Sequence, residues 1–420
     1  MSGSEVLQGI GALASVAGIA GGYYAWRALD DTNVKASQDR FRAVRTEFRE
    51  NLSRIADMAA DLHTAEVPQL ERIGGSAVLT TPRMRPPVPL PIDRVRLLWE
   101  DAGIPEDRAL QAAARKNLPR RTRWNKYSGY AETLDALMRP ALFENRSAFR
   151  LLHADWQHPD GPVMSFGPGR YFDLVDQGEA LFHELARAVG KGTTAPSLRR
   201  LPMRALLMSD PLSLPRRGAI PSIGTLTVRR TAPGHGTFFL IYRTSGQVAT
   251  GEETYNVIPG GIFQPASFSP LGHRRDLDLW RNIMREFNEE LLGAPEATGA
   301  GGSEVDYDAP PYVDFTRAMA DSRLKVWNFG MGIEAHNLVP CLLTAAVFDA
   351  DVFDTLFASM VERTSEGILI SGPRGSTVTG LPLEAETVRD LLASPRLSPI
   401  PAALLHLVLQ HRELLLGSST

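Results

Sequence analysis

The stretch from Asp276 to Gly293, DLDLWRNIMREFNEELLG, constrains the fold because it carries two opposed patterns at once. Leu277, Trp280, Met284, Phe287 and Leu291 recur at alternating spacings of three and four, which makes one apolar stripe on an α-helix. Asp278, Asn282, Glu286, Glu289 and Glu290 fall on the other side. The last three stand at i, i+3 and i+4, where like charges destabilise a helix by roughly a few tenths of a kcal/mol per pair. A divalent cation would neutralise the cluster, and carboxylate oxygens suit a hard ion such as Mg²⁺ or Mn²⁺. The alternative is an amphipathic helix whose acidic face meets water, closed by Gly293 and stopped by Pro295.

Strand signals precede this helix. Ser222 to Arg230 (SIGTLTVRR) alternates apolar and polar residues, and Thr237 to Arg243 (TFFLIYR) is rich in aromatic and aliphatic residues. The Pro233-Gly234 turn lies between them, and Tyr255 to Ile258 is a third strand running into Pro259-Gly260-Gly261. After the acidic helix, Ala345 to Phe348 and Gly367 to Ser371 read as strands, while Leu383 to Ala393 and Pro401 to Leu416 read as helices.

Arg285-Glu286-Phe287-Asn288-Glu289-Glu290 resembles the R-E-U-x-E-E core of the Nudix box, where U is apolar, and Pro259-Gly260-Gly261 resembles the glycine turn that opens it. The resemblance implies an α/β fold, a Nudix-like α/β/α sandwich with a mixed sheet, over residues 166–420. It implies that Glu286, Glu289 and Glu290 bind a divalent metal bridging a diphosphate, and that Arg285 orients a carboxylate by a bidentate hydrogen bond. Leu277 occupies the place of the family's upstream glutamate, so the neighbouring Asp278 is the substitute metal ligand. Leu292 stands where the family has glycine, and Ile262 to Arg275 is longer than the usual linker. Phe143 to Arg146 and Gly169 to Asp176 are similar to segments of bacterial proteins in which a Nudix-like C-terminal region follows another module, a likeness running from about Pro89 to the end.

The activity implied is attack of water on a phosphorus of a nucleoside diphosphate linked to another moiety, with Arg285, Glu286, Glu289 and Glu290 as the catalytic set and Glu366 as a candidate general base. Two other readings stand beside it. One is a module that kept the pocket but lost turnover and senses a nucleotide. The other is a structural membrane scaffold in which the acidic helix is only a folding element.

Val6 to Trp26 carries no charge and is long enough to cross a bilayer at about 1.5 Å per residue. Tyr23, Tyr24 and Trp26 followed by Arg27 form an interfacial belt, and the stretch lacks the basic n-region of a signal peptide. Lys35, Arg40, Arg42 and Arg45 then place the rest of the chain on the cytoplasmic face of the membrane by the positive-inside rule. The alternative is a buried or oligomer-forming helix, for which Gly18 and Gly22 permit close contact.

Residues 1–30 thus read as an anchor and residues 31–75 as an amphipathic helix. In the latter, Phe41, Val44, Phe48, Leu52, Ile55, Ala59 and Leu62 either pair with a second copy or pack on the folded body. Residues 76–165 read as a proline-rich linker followed by a helical, basic region, because five prolines lie between Thr80 and Pro91. Arg115, Lys116, Arg120, Arg121, Arg123 and Lys126 surround Trp124 and Tyr127. They form either a solvated loop or a contact for anionic lipid or nucleic acid. A net charge of −3 gives no general attraction to nucleic acid, and the single Cys341 excludes an intrachain disulfide. Asp173, Asp176 and His183, with Glu179 and Glu184 beside them, could frame a second acid/base or metal site. They could equally belong to an amphipathic helix with Val175, Phe182 and Leu185 inward.

Overall fold

The computed structural model describes residues 32–47, 50–141, 143–190, 196–208, 214–244, 253–267, 270–295, 305–364, 367–370 and 380–418. The Val6 to Trp26 stretch and Glu366 lie outside the described residues. Among those described, no helix is long and apolar enough to cross a membrane.

The fold is mixed α/β, built on one large mixed sheet. Its strands, in chain order, are β1 (Glu71–Arg72), β2 (Val78–Thr80), β3 (Leu90–Pro91), then β7 (Ser222–Ala232), β8 (His235–Phe238), β11 (Gly260–Ile262), β12 (Leu324–Glu334), β13 (Pro340–Asp349) and β15 (Leu381–Pro382). The spatial order is β1-β2-β12-β13-β7-β8-β15, with β11 on β7 and β3 on β12. β13 and β7 run parallel from Cys341↔Ser222 to Asp349↔Arg230, and their neighbours are antiparallel. Two three-stranded sheets flank it. One joins β4 (Arg96–Trp99), β6 (Val163–Arg170) and β5 (Ser147–Asp155); the other joins β10 (Tyr255–Val257), β9 (Leu240–Arg243) and β14 (Gly367–Ile370).

β13 is buried along nearly its whole length because both faces are covered. Leu342, Ala346 and Phe348 enter one core, with Leu279, Ile283, Met284, Phe287 and Leu291 of the acidic helix. Cys341, Leu343, Ala345 and Val347 enter another, with Leu404, Leu405, Leu407 and Val408 of the helix Pro399–Gln410. The period of two along the strand sends successive side chains to opposite layers, so the sheet is sandwiched between these two helices.

Three expectations need correction. The proline-rich segment is extended only in part, with a 3-10 turn at Pro82–Met84, and is not a linker: Leu79 and Pro91 pair with Ile333 and Trp327 of β12, and Met84 and Ile92 are buried in the largest core. Proline is tolerated here because these strands are short additions to the sheet. The boundary between residues 165 and 166 falls inside β6, whose pairing with β5 spans Val163 to Arg170. Thr237 to Arg243 is two strands in two sheets, broken at Phe239, which is fully buried and stacks on Phe353 with ring centroids 4.9 Å apart.

The amphipathic segment is two helices, residues 32–47 and Leu52–Glu66. Both dock on the body. Leu52, Ile55 and Ala59 meet Phe182, Leu185 and Ala186 of the helix Ala180–Val189, and Phe41 stacks on His183 at 4.6 Å.

Candidate functional site

The acidic stretch is an α-helix, Leu279–Glu286, that widens into a π-turn over Phe287–Leu291. Of its stripe, Met284, Phe287 and Leu291 are buried, whereas Leu277 and Trp280 are only partly so and Asn282 and Glu290 of the expected polar face are buried as well; Gly293 ends it at φ +70° as a C-terminal cap glycine does. Asp278 occupies the N-cap position and accepts the Arg281 amide at 3.0 Å. Asp276, fully buried, accepts the amides of Ala266 and Ser267 at 2.9 and 3.0 Å. The upstream aspartates therefore shape the loop and start the helix. Asp278, expected as a metal ligand, is seen here as a helix cap and is not among the residues lining the cavity described below.

The glycine turn and the glutamates meet directly. β11 pairs with Ser222 to Gly224 of β7 and runs beside the helix. The Gly260 amide donates to Glu290 Oε1 at 3.2 Å. A Cβ on Gly261 would lie 2.3 Å from Glu286 Oε1, so only a residue without a side chain lets that carboxylate approach the strand. Asn282 Nδ2 donates to Glu286 Oε1 at 3.4 Å.

Arg285 departs from expectation. Instead of a bidentate carboxylate clamp, its guanidinium donates to Tyr307 Oη at 2.7 Å, to Asn282 Oδ1 at 3.0 Å and to the Gln264 carbonyl. Asn282 Oδ1 also accepts the Gln264 amide at 3.2 Å. Arg285 thereby fastens the loop after β11 to the helix and reaches Glu286 through the Asn282 amide.

Glu286, Glu289 and Glu290 line a cavity of about 770 Å³. Arg45, Arg146, Arg243 and Arg363 line it as well, as do Phe143 and Tyr171, so it combines acidic, basic and aromatic surfaces. Arg243 donates to the Gly260 carbonyl at 3.3 Å, and Arg146 pairs with Glu144 at 2.9 Å. Arg45, carried by the N-terminal helix, bonds to Glu179 and donates to Tyr130 Oη at 3.3 Å. Among the described residues, no group of three or more His, Cys, Asp or Glu side chains is gathered closely enough to hold a metal ion.

Two further groups on the lining carry no sequence signal. Glu334, at the end of β12, accepts Asn337 Nδ2 at 3.2 Å; burial pushes its carboxyl up to about 7, against that hydrogen bond and the nearby Arg243 charge. His336 is only 5% exposed; burial and the Arg204 guanidinium push its imidazole down to about 3, so it is neutral. No motif could have singled them out, because their surroundings come from strands and helices distant in sequence.

The alternative acidic cluster is used by the fold. Asp176 accepts the Ala131 amide at 2.8 Å, Glu184 accepts the amides of Met203 and Arg204 at 2.7 and 3.1 Å, and His183 Nδ1 lies 3.0 Å from Tyr130 Oη. The basic run folds back beside the N-terminal helix: the Arg120 amide donates to Ser37 Oγ at 3.0 Å, and Lys126 Nζ donates to the carbonyls of Arg115 and Lys116. Trp124 stays 77% exposed beneath the Arg123 guanidinium.

The chain matches no protein-family model, and no curated protein sequence is similar to it.

Proposed function

We propose that this chain is a Nudix-like module that binds a nucleotide-type diphosphate together with Mg²⁺ or Mn²⁺, at the cytoplasmic face of a membrane. The observation that carries the reading is the direct contact of Glu286 and Glu290 with the Gly260-Gly261 turn on the wall of a cavity that Arg243 and Arg146 also line. The layered sheet between the acidic helix and the helix Pro399–Gln410 supports the fold assignment.

The donor set fits a hard divalent ion in kind: Glu286, Glu289 and Glu290 offer oxygen ligands from consecutive turns and open on one cavity. Glu286, Glu289 and Glu290 would hold such an ion, which would supply positive charge to offset that of the phosphate. The arginines would neutralise the remaining phosphate charge, and Phe143 and Tyr171 give the lining apolar ring faces.

Turnover is the second reading, and Glu334 favours it. A carboxyl titrating near neutrality on the same cavity meets the pKa requirement of a general base that accepts a proton from water attacking phosphorus. Against it stand Asp278 engaged as a helix cap and Arg285 engaged with the loop.

The test is thermal unfolding with pyrophosphate and nucleoside diphosphates, in Mg²⁺ and in EDTA, on wild type and Glu289→Gln/Glu290→Gln. Metal-dependent stabilisation lost in the double variant supports the reading, and its absence in wild type refutes it. Phosphate or mononucleotide release on the same samples separates binding from hydrolysis.

A further inference from the structure

We propose that the loop of residues 120–126, beside the N-terminal helix, is a docking surface for a layer of anionic lipid headgroups, with Trp124 entering the interface and the surrounding cations meeting lipid phosphates. The proposal is independent of the diphosphate reading. It also stands whether or not the Val6 to Trp26 stretch enters a bilayer.

The loop has a fixed shape. Arg120 and Lys126 bridge in antiparallel register, the Asn125 carbonyl accepts the amides of Arg121 and Thr122 at 2.9 and 3.1 Å, and Thr122 Oγ1 accepts the Asn125 amide at 3.2 Å. Its ends are tied down as well, one through the Lys126 ammonium on the carbonyls of Arg115 and Lys116, the other through the Arg120 amide on Ser37. Trp124 therefore stands out from an ordered backbone. Among the described residues no large apolar side chain is more exposed than this one, at 77%.

Cations surround the indole. Arg115, Arg121 and Lys126 line an open hollow of about 560 Å³ together with Trp124. Among the described residues the one carboxylate on that lining is Glu132, which is engaged by Arg121 at 2.6 Å and by the Ser128 amide at 2.8 Å. Arg187 comes close enough to donate to the Lys116 carbonyl at 3.4 Å. The Lys126 ammonium lies below its ordinary value, chiefly through burial and then through the charges of Arg187 and Arg120. On a chain of net charge −3 this is a local surplus of positive charge, which a negatively charged surface would relieve.

The aromatic groups favour lipid over nucleic acid. Binding of single strands uses successive open ring faces along a groove. Here Tyr127 is buried, and the Arg123 guanidinium lies over the Trp124 ring at 4.3 Å from its centroid, covering one face. An indole flanked by Arg and Lys is instead the combination suited to a bilayer interface, where the ring sits at headgroup level and the cations are drawn to anionic lipid. The neighbouring helix, residues 32–47, extends the basic surface: Gln38 Nε2 donates to the Arg120 carbonyl at 3.1 Å, and Lys35 and Arg40 are exposed. Asp39 on that helix is paired with Arg42 at 3.0 Å.

The test attaches an environment-sensitive dye to Asn125→Cys in the full chain; Asn125 is exposed and Cys341 fully buried, so the introduced thiol takes the label. Emission is read with vesicles of phosphatidylcholine alone and with vesicles in which roughly one lipid in three is phosphatidylserine. A blue shift that only the anionic vesicles give, and that high salt reverses, supports the proposal. Insertion of the Val6 to Trp26 stretch would occur in both kinds of vesicle and so cancels from the difference. In Arg115→Gln/Arg121→Gln, which alters two exposed side chains, the ratio of inserted to free loop should fall about thirtyfold, at about fivefold for each charge removed. Trp124→Ala should abolish most of the shift. Identical emission with the two kinds of vesicle overturns the proposal, as does a shift that neither variant diminishes. An equal shift with soluble glycerophosphoserine would assign the hollow to a free anion, and one with a single-stranded oligonucleotide would assign it to nucleic acid; either overturns lipid docking.

Discussion

Arg285 and Asn282 are joined on the acidic helix by a 3.0 Å hydrogen bond from guanidinium Nη2 to amide Oδ1, and Asn282 Nδ2 in turn donates to Glu286 Oε1. One buried cation therefore sets the rotamer of an amide that steadies a cavity glutamate, while its other bonds hold the loop at Gln264 and Tyr307. Arg285→Ala leaves the Gln264 carbonyl, the Asn282 amide oxygen and Tyr307 without this donor. It should lower stability by about 3 kcal/mol, read as a urea midpoint shift with unchanged slope. Arg285→Lys should recover only part of this, since an ammonium cannot reproduce the planar fork.

Gly261→Ala separates stability from binding. The added methyl would collide with the Glu286 carboxylate, the far end of a flexible side chain that can swing aside. The stability cost should stay below about 1 kcal/mol. The metal-dependent thermal shift with pyrophosphate should nevertheless fall sharply, because Glu286 leaves its place. A variant that binds as wild type does would show that this placement is irrelevant to the ligand.

Glu289→Gln/Glu290→Gln keeps an oxygen to accept the Gly260 amide while removing two charges. The fold should persist, with like-charge repulsion relieved. Ligand stabilisation, about 2.7 kcal/mol at a hundredfold excess over Kd, should vanish. Unfolding curves with and without Mg²⁺ and pyrophosphate check it.

Glu334 predicts a pH dependence. Its folded-state carboxyl is raised to about 7 by burial, against the Asn337 hydrogen bond and the Arg243 charge, with Glu179 adding to the rise. The unfolded value is about 4.3, so between these pH values the folded state holds a proton that the unfolded state has lost. This contribution to stability is complete below the unfolded value, declines as pH rises, and is gone above about 7. Glu334→Gln should remove that component, flattening stability between about pH 4.5 and about pH 7 and gaining most over wild type near about pH 8. Urea midpoints across this range measure it. A variant whose slope matches wild type would assign the pH dependence elsewhere.

Arg45 and Glu179 form an ion pair with side chains 11% and 3% exposed. Arg45→Met strands the glutamate and should destabilise the chain by about 3 to 5 kcal/mol. Arg45→Met/Glu179→Gln should cost much less, since replacing both members of a buried pair removes the uncompensated charge. Chemical denaturation of the two variants decides it. Equal losses would mean that the contact contributes through packing alone.

The local elements were legible along the chain because their periods are intrinsic to backbone geometry. The strand at Ser222, the helix at Leu279 with its inward Phe287 and Leu291, and the cap at Gly293 follow from spacing and residue type. The order of glycine turn and acidic helix was legible too, but the contact of Gly260-Gly261 with Glu286 and Glu290 comes only from the pairing of β11 beside the helix. What neighbours do to a side chain was not legible. Asp278 and Arg285 have the residue types of a metal ligand and a carboxylate clamp, but Asp278 caps its own helix at the Arg281 amide and Arg285 ties that helix to the Gln264 carbonyl. Thr80 to Pro91 has the composition of a linker, yet β12, more than two hundred residues later, draws its ends into the sheet. Burial raises the Glu334 carboxyl against the Asn337 hydrogen bond and the Arg243 charge, and burial with the Arg204 charge lowers the His336 imidazole, effects that arise only when the tertiary fold closes around them. Secondary structure answers to interactions within a few residues, whereas the charge state and partners of a cavity group depend on what the tertiary fold places around it.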